Sequence, residues 1–310
     1  MNAVELRDKA WKNSNKIPGW VRGREVSLDQ YNTLPSVAEY CWDSFQAFLK
    51  KDGAILSNYK IIEPSAGTGS FYNLLPKQSR IGIDVEKFNK EYLRQDFLTW
   101  NPNNTDERPC VVIGNPPFGY RGWLALAFLN HAAEFSDYVG FILPMSFQSD
   151  GKGSPKNRVN GMRLVHSEKL SGDLFVMPDG EVAQVNTLWQ IWKKGEAPAL
   201  PDLSAANEYV DLFTVDLRKE RLCGMSKIDD CNLFLQRTYF NKPPKIVKSF
   251  SEVKYVCGYG IIIKKDKRRV LKILKSINWD NYHNLATHNC KHISMYHIRQ
   301  ALLDNGLLNA

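Results

Sequence analysis

Short apolar runs that end at a glycine, a proline or an acid recur through the first half of this 310-residue chain, and they constrain its fold more than any other feature. Cys110–Gly114 is such a run, and the stiff tetrapeptide Asn115-Pro116-Pro117-Phe118 follows it. A run this short, bounded by turn residues, is typical of a buried strand. Open α/β sheets place their chemistry just beyond the carboxyl ends of such strands. We therefore predict a doubly wound, mostly parallel sheet with a functional loop at Asn115.

The two consecutive prolines of that tetrapeptide remove two backbone donors and fix two φ angles. The Asn115 side-chain oxygen and the Pro116 carbonyl are left as free acceptors, with the ring of Phe118 beside them. Such a pair of acceptors suits a planar ligand that carries an amino group. A proline-rich turn that only ends the strand is the alternative interpretation.

A glycine-bearing loop follows a second predicted strand, which ends at Glu63. The position predicts a loop that presents backbone donors to a ligand, and its small residues let the ligand come close. No lysine follows Gly69, which excludes a Walker phosphate loop, and Tyr72 stands where a dinucleotide-binding loop has its third glycine. The candidate binding residues are Glu63, Ser65, Ala66, Gly67 and Gly69.

Arg80 to Asp84 reads as a third short strand that ends in a carboxylate, 17 residues after Gly67. An acid at this distance from a glycine loop can accept both hydroxyls of a ribose. The spacing therefore indicates a nucleotide-like ligand other than a dinucleotide. The alternative is a surface-exposed aspartate that merely ends the strand.

The tetrapeptide at 115–118 resembles the catalytic motif of adenine-N6 methyltransferases that use S-adenosyl-L-methionine. A turn element, the glycine loop, the ribose acid, a second acid and the tetrapeptide run consecutively from residue 30 to 119. This order is similar to the gamma-class arrangement of DNA adenine methyltransferases, and the resemblance covers roughly residues 28 to 195. It implies a Rossmann-like methyltransferase fold that binds S-adenosyl-L-methionine, followed by a target-recognition region.

The resemblance also implies roles for individual residues. Asn115, Pro116, Pro117 and Phe118 form the catalytic motif, with Asn115 also at the cofactor. Asp96 and Phe97 resemble the acid and the apolar side chain that contact the cofactor's adenine, although a helix N-cap at Asp96 explains the acid nearly as well. Thr33 resembles the threonine of a turn over the methionine end of the cofactor, with Leu34 interrupting the commoner Thr-Pro adjacency.

Charge is distributed unequally along the chain. The formal net charge is +8, with −1 on residues 1 to 150 and +9 on residues 151 to 310. A neutral half joined to a basic half suggests a catalytic unit beside a unit that binds a polyanion. The alternative is a solvated basic face that serves solubility. We expect the partner to be duplex DNA, from which the target adenine flips out.

A linker-like segment from Gly195 to Asp202 separates an expected catalytic domain, 1–195, from an α+β target-recognition region, 196–310. The polar loop from Gln148 to Arg163 is expected to close over nucleic acid, or else to be a disordered surface connection. Cations also cluster at the start of a predicted helix at 266–277, where they oppose the helix macrodipole. The candidate nucleic-acid-binding residues are Lys152, Lys156, Arg158, Arg163, Arg237, Lys264, Lys265, Lys267, Arg268 and Arg269.

The six cysteines are scattered without a C-x-x-C pair, which favours reduced thiols and gives no metal site of familiar spacing. The chain has no membrane-spanning run, and its N-terminus lacks the apolar stretch of a signal peptide. We therefore expect a cytoplasmic, site-specific DNA adenine methyltransferase, monomeric or weakly dimeric, that could work with a restriction endonuclease. The alternatives are an RNA adenine-N6 methyltransferase and a non-catalytic nucleic-acid-binding module.

Overall fold

The computed structural model describes residues 31–86, 88–102, 106–119, 122–150, 154–177, 179–217, 227–285 and 290–309. These residues form two compact units. The first unit extends to Phe147 and includes Arg158–Pro198, and the second consists of Gln148–Asn157 and Ala199–Ala310. Folding of 1–195 as an independent domain stays a prediction.

Ten strands belong to the first unit. In chain order they are β1 (Asn32–Thr33), β2 (Lys60–Glu63), β3 (Arg80–Asp84), β4 (Leu93–Arg94), β5 (Cys110–Gly114), β6 (Ser136–Pro144), β7 (Met162–Leu170), β8 (Asp173–Val176), β9 (Val182–Gln184) and β10 (Thr187–Lys194). Seven of them form one sheet, in the order β4-β3-β2-β5-β6-β10-β7, while β1, β8 and β9 form a separate small sheet. The strand order of the large sheet therefore reverses between β2 and β5.

Parallel pairing dominates the large sheet. β2 runs parallel to β3 and β5, β3 runs parallel to β4, and β5 runs parallel to β6. β10 is antiparallel to both of its neighbours, β6 and β7. All five residues of β5 are buried, so both faces of the sheet are covered. The predicted fold class, a doubly wound and mostly parallel Rossmann-like sheet, is confirmed.

Two α-helices of the first unit are α1 (Pro35–Lys51) and α2 (Trp123–Ala133). A proline at the first position of α1 suits a helix start, where no backbone donor is needed. The buried residues of α1 recur at helical spacing and pack on one face of the sheet, in a core that includes Val111 and Ile113. α2 is buried on nearly all sides and connects the parallel strands β5 and β6.

Two local expectations for the first unit are wrong. The segment after β2 reads in the sequence as a glycine turn and then the start of a helix, but it leads into a short 3₁₀ helix, Tyr72–Leu74, and not into an α-helix, because Pro76 stands two residues beyond its end. The polar loop expected to reach Arg163 ends earlier, since β7 already begins at Met162 and pairs with β10. Strand pairing over this distance leaves no local signal in the sequence. Other 3₁₀ helices of this part of the chain are Leu56–Asn58, Phe97–Thr99, Met145–Gln148 and Pro155–Arg158.

The second unit is an α+β structure, as predicted. Its elements are β11 (Val210–Asp216), β12 (Leu233–Gln236), β13 (Thr238–Tyr239), β14 (Ile246–Val247), β15 (Cys257–Ile263), α3 (Lys267–Ser276), β16 (Asn284–Leu285), β17 (Lys291–His292) and α4 (Met295–Asp304). β11-β15-β12-β14 form an antiparallel sheet and β13-β17-β16 form a smaller one. Both helices contribute to the main core, with Ile273 from α3 and Ile298 from α4.

Three further properties concern only the described parts of the chain. No helix there combines the length and the apolar character needed to cross a membrane. The five cysteines in those parts are free thiols. No group of three or more His, Cys, Asp or Glu side chains within those parts is arranged to hold a metal ion.

Candidate active site

A cavity of about 380 Å³ lies at the carboxyl ends of β2, β3 and β5. This is where the strand order reverses, the usual position of ligand sites in open α/β sheets. Its volume is in the range of small-molecule sites. Eight of the residues selected from the sequence line it. Seven are candidate cofactor residues, namely Thr33, Glu63, Ser65, Ala66, Gly67, Asp84 and Asn115, which is also a catalytic candidate, and the eighth is Pro117.

Asp84, the predicted ribose acid, is fixed at the cavity wall by backbone donors. The Gly67 N–H donates to Asp84 Oδ2 at 2.8 Å, and the Glu86 N–H donates to Oδ1 at 2.9 Å. Gly67 has a φ of +47°, a conformation that glycine adopts without strain. Burial raises the pKa of Asp84, although these hydrogen bonds oppose the effect. The carboxylate is therefore held in one orientation at the end of β3.

Glu63, the last residue of β2, is a second acid in the cavity wall. Its side chain is only 2% exposed, and its Oε2 has no hydrogen-bond partner among the described residues. Burial holds the pKa of Glu63 well above its usual range, the charge of Asp84 adds to this, and a hydrogen bond from the Tyr72 backbone opposes it. With Glu86, three acids line the cavity, and no described lysine or arginine does. The site therefore suits a cationic ligand better than a polyphosphate.

The Asn115 amide is oriented by a contact 84 residues away in sequence. Asn115 Nδ2 donates to the Tyr31 carbonyl at 3.1 Å, and Ser65 Oγ donates to the Asn115 carbonyl at 2.9 Å. Asn115 Oδ1 is buried and accepts no hydrogen bond from any residue that the structure describes. Leaving a buried acceptor unpaired is costly, of order 1–3 kcal/mol. The cavity wall thus contains an acceptor whose natural partner is a ligand N–H.

The rest of the tetrapeptide differs in its surroundings. Pro117 lines the cavity, whereas Pro116 is buried and does not. Phe118 is partly buried against the core beneath α1, and its carbonyl accepts hydrogen bonds from the first turn of α2. Gly119 has a φ of +64°, and a Cβ there would lie 2.8 Å from Leu124 Cβ. The loop is therefore tied to α2 as well as to Tyr31, the residue before β1. Stacking of Phe118 on a substrate ring stays a prediction.

Strand β1 closes the side of the cavity next to the glycine loop. Asn32 and Thr33 pair with β8, and Thr68 Oγ1 donates to Asn32 Oδ1 at 3.5 Å. Ser70 Oγ donates to the Thr33 carbonyl at 2.5 Å. The structure therefore places Thr33 at the cavity, as the resemblance implies, while its contact with a methionine group stays a prediction.

Asp96 and Phe97 are not among the residues that line the cavity. Asp96 caps the 3₁₀ helix that follows it, with Oδ1 accepting the Leu98 N–H at 2.9 Å. Phe97 is 1% exposed and packs against Trp100 and Phe128. The N-cap that was the alternative explanation of the acid is thus present. A contact of these two residues with adenine stays a prediction that this cavity does not support.

Gly69 also lies behind the cavity and not on its surface. It is buried with a φ of +90°, and a Cβ there would lie 2.8 Å from the Tyr92 hydroxyl oxygen. Gly69 therefore shapes the loop without lining the cavity.

Sequence reasoning missed eight lining residues, namely Tyr31, Asn32, Thr68, Ser70, Phe71, Val85, Glu86 and Phe88. Phe88 is 49% exposed, and a large apolar ring at a cavity rim offers a flat surface for a planar ligand. Phe88 could have been predicted as a lining residue from its position four residues after Asp84. Tyr31 and Asn32 gave no such signal, because a two-residue strand has no periodicity.

The candidate nucleic-acid-binding residues near the 148–163 loop have different environments. Lys152 lies outside the described residues. Lys156 forms an ion pair with Asp150. Arg158 is exposed at the end of a 3₁₀ helix, and Arg163 is exposed on β7. Arg158 and Arg163 are therefore available to a ligand, whereas Lys156 is already paired.

The basic residues around α3 are mostly exposed, as is Arg237. Lys264, Lys265, Lys267 and Arg268 all lie on the surface, with Lys265 Nζ 5.0 Å from the centre of the Tyr209 ring. Arg269 is half-buried and donates to the Gly306 carbonyl, so it fastens the end of α4. Nucleic-acid binding by this group stays a prediction, and Arg269 has a structural role.

No family model matches the chain, and no curated protein matches it in sequence. Among solved structures it is similar to a Pyrococcus horikoshii protein provisionally assigned as an RNA methyltransferase, with 19% identity over 63% of this chain and 99% of that one, at a TM-score of 0.40. The magnesium protoporphyrin IX methyltransferase of Synechocystis is 12% identical over 63% and 98%, with a TM-score of 0.36. An S-adenosylmethionine-dependent methyltransferase of Anabaena variabilis is 10% identical over 56% and 100%, with a TM-score of 0.32. At these values the likenesses do not bear on function, which depends on the geometry of the site.

Proposed function

We propose that this protein is a methyltransferase that uses S-adenosyl-L-methionine to methylate the N6 amino group of adenine in DNA. The observation that carries the proposal is the buried, unpaired acceptor Asn115 Oδ1, among the described residues, in the wall of a cavity lined by acids. Methyl transfer to an exocyclic amino group needs a cationic methyl donor on one side and acceptors for the amino hydrogens on the other. The acids of this cavity suit the first requirement, and Asn115 supplies one acceptor for the second.

The cavity residues fit S-adenosyl-L-methionine. Asp84, held by Gly67 and Glu86, would accept the ribose hydroxyls, and Glu63 would face positive charge on the donor. The ring of Phe88 would cover a planar base at the rim. When bound, the cofactor supplies a methyl group on a sulfonium, and the reaction leaves S-adenosylhomocysteine and one proton from the amino group.

The chain's own task is to make the adenine amino group nucleophilic. The N6 lone pair is delocalised into the purine ring, so a free amino group is a poor nucleophile. Asn115 Oδ1 would accept one N6 hydrogen, and the Pro116 carbonyl would accept the other, as the resemblance implies, although Pro116 does not line the cavity. Each hydrogen bond would draw the lone pair onto the nitrogen. The hydrogen bonds to Tyr31 and from Ser65 hold Asn115 in place before the substrate arrives, so little reorganisation is needed.

A polyanionic substrate is supported by the distribution of charge, since the excess of +9 lies on residues 151–310. An adenine inside a duplex cannot reach a cavity of this kind, and base flipping is the expected entry step. Tyr120 and Arg121, which follow the tetrapeptide, lie outside the described residues. DNA is our first choice of nucleic acid because the order of sequence motifs resembles the gamma-class DNA enzymes.

Incubation with methyl-labelled cofactor tests the proposal on four substrates: duplex DNA, single-stranded DNA, RNA of the same sequence, and duplex DNA with hypoxanthine in place of adenine. We expect label in the adenine-containing duplex and none in the hypoxanthine duplex, which lacks the N6 amino group. Label in RNA alone would replace the proposal with an RNA adenine methyltransferase. Binding of DNA without label in any substrate would indicate a non-catalytic module.

A further inference from the structure

Helix α3 has a cationic face opposite its buried face. Its sequence, KRRVLKILKS, contains five cations and no acid. Arg268, Lys272 and Lys275 follow the spacing i, i+4, i+7, so they share one side of the helix, and all three are exposed. We call these three residues the α3 stripe. The opposite side is buried in the core of the second unit through Val270, Ile273 and Leu274.

Within the described parts of the chain, none of the three residues of the α3 stripe forms an ion pair. Two lysines elsewhere in the second unit do form ion pairs: Lys227 Nζ lies 2.8 Å from Asp211 Oδ2, and Lys291 Nζ lies 2.6 Å from Asp280 Oδ1. Like charges four residues apart on a helix are destabilising by a few tenths of a kcal/mol, roughly 0.2–0.5. The stability of the helix therefore does not explain the stripe.

The start of α3 also contains features that the stability of the helix does not explain. Lys267 and Arg268 occupy its first turn, where cations oppose the macrodipole. Asp266 precedes them with a φ of +48° and makes no side-chain capping hydrogen bond. A non-glycine residue in this conformation is strained, by roughly 1–3 kcal/mol. Both features cost stability, and an anion bound along this face would offset the first of them, the cations in the first turn.

We propose that the α3 stripe binds the phosphate backbone of duplex DNA. Charge complementarity argues for a polyanion, because three uncompensated cations follow one another along a single helix face. A membrane surface is disfavoured, since a helix that lies on a membrane inserts its apolar side, and the apolar side of α3 is already buried. That the polyanion is DNA rests on the proposed function. Lys272 and Lys275 were not among the residues selected from the sequence.

Contacts of this type have a defined signature. Phosphate contacts position a protein on a duplex but do not read its sequence. Each neutralised phosphate adds about 0.9 to the slope of log affinity against log salt concentration for B-form DNA. Loss of three contacts should therefore reduce that slope by about 2 to 3, equally for duplexes of different sequence.

Fluorescence anisotropy of the full chain with a labelled duplex, between 50 and 200 mM KCl, tests this surface. The variant Arg268→Gln/Lys272→Gln/Lys275→Gln is compared with Lys242→Gln/Lys245→Gln/Lys248→Gln, which removes the same charge from exposed lysines of the same unit. We expect the stripe variant to bind roughly 10- to 100-fold more weakly at low salt, with the shallower slope. The control should stay within about threefold of the parent, as expected for a charge change away from the contact surface.

Equal binding by the two triple variants would overturn the proposal. So would a stripe variant that loses binding to phosphatidylserine vesicles while its DNA affinity is unchanged. Thermal denaturation shows whether each variant folds, and if the stripe triple does not, Lys275→Gln alone should reduce the slope by about 1; no reduction would contradict the proposal.

The proposal that the α3 stripe binds DNA and the proposed function can be refuted independently of each other. Stripe-dependent DNA binding without methyl transfer would leave the surface intact and refute the function. Methyl transfer to duplex DNA with the same KM in the stripe and control variants would do the reverse.

Discussion

The acids of the cavity and the cations of the α3 stripe carry opposite charges, and they differ in burial. Glu63 is 2% exposed and Asp84 is held by backbone N–H groups, whereas Arg268, Lys272 and Lys275 are exposed and unpaired among the described residues. A buried charge strongly favours a ligand that pairs with it, because no water can do so. An exposed cation interacts through water and is screened by salt. Ligand binding in the cavity should therefore be sensitive to the substitution of a single side chain, whereas DNA binding by the stripe should be sensitive to ionic strength.

The largest effect that we expect comes from Asn115→Ala. It removes one of the two acceptors for the N6 hydrogens, and losing one preorganised polar group of this kind typically costs about 10²–10³-fold in turnover. Methyl transfer should fall by that factor in a single-turnover assay, while cofactor affinity changes little.

The matched control is Asn130→Ala, whose Nδ2 also donates to a backbone carbonyl, that of Arg158 at 3.1 Å, away from the cavity. It should transfer methyl groups at the parental rate. If Asn115→Ala did so too, the acceptor role of Asn115 would be wrong.

The second-largest effect is that of ionic strength, which should change DNA affinity much more than cofactor affinity. If about four phosphates are neutralised, DNA affinity should fall about 10²-fold between 50 and 200 mM salt. Cofactor affinity should change by less than about twofold, since buried charges are screened much less. Titration calorimetry for the cofactor and anisotropy for DNA measure the two responses. Equal salt dependence of both would remove the contrast between the regions.

The pH dependence of cofactor binding tests Glu63. Its pKa is raised by burial, so the apo protein favours the protonated carboxyl, and a cationic ligand favours the carboxylate. Binding should release a proton, and affinity should increase as pH rises toward the raised pKa, by up to about tenfold per pH unit. Glu63→Gln should remove this dependence in calorimetry at several pH values. An unchanged dependence in the variant would assign the effect to another group, with Asp84 next.

The same shift predicts a stability effect of known sign. A carboxyl whose folded pKa is raised contributes fully to stability below its unfolded value, about 4.3, and that contribution is lost as pH rises through the folded value. Glu63→Gln should therefore melt at a higher temperature than the parent at pH 7.5, and near the parent at pH 4. A lower melting temperature at pH 7.5 would mean that Glu63 is paired as a carboxylate.

The smallest effect concerns Asp96. Since Asp96 caps a 3₁₀ helix and does not line the cavity, Asp96→Ala should cost about 1 kcal/mol of stability and leave cofactor affinity unchanged. Asp84→Ala, the comparison variant, should weaken cofactor binding at least tenfold. Equal weakening by both variants would show that Asp96 contacts the cofactor, as the resemblance implies.

Much of the sheet and of the cavity was predictable because the signals are local. β5 with Asn115, and β3 with Asp84, each combine a short apolar run with a polar residue at its end, so strand and functional residue are read together. The glycine loop was recognisable because glycine is the residue type that adopts positive φ without strain. Gly67 and Gly69 do so, with φ values of +47° and +90°.

The unpredicted parts depend on contacts that are distant in sequence. β1 is two residues long and exists because β8, some 140 residues later, pairs with it. The hydrogen bond from Asn115 to Tyr31 follows from that pairing. Asp96 shows the opposite problem, since one acid before an apolar residue is compatible with a cap or with a ligand contact, and only the structure distinguishes them.

The measurement that tests the central claim most directly is mass spectrometry of nucleosides from duplex DNA that has been incubated with S-adenosyl-L-methionine and the protein. We predict N6-methyl-deoxyadenosine with the parent protein and with Asn130→Ala, and about 10²–10³-fold slower formation of it with Asn115→Ala. Methylation of another base, or no methylated nucleoside from a protein that binds both cofactor and DNA, would contradict the claim.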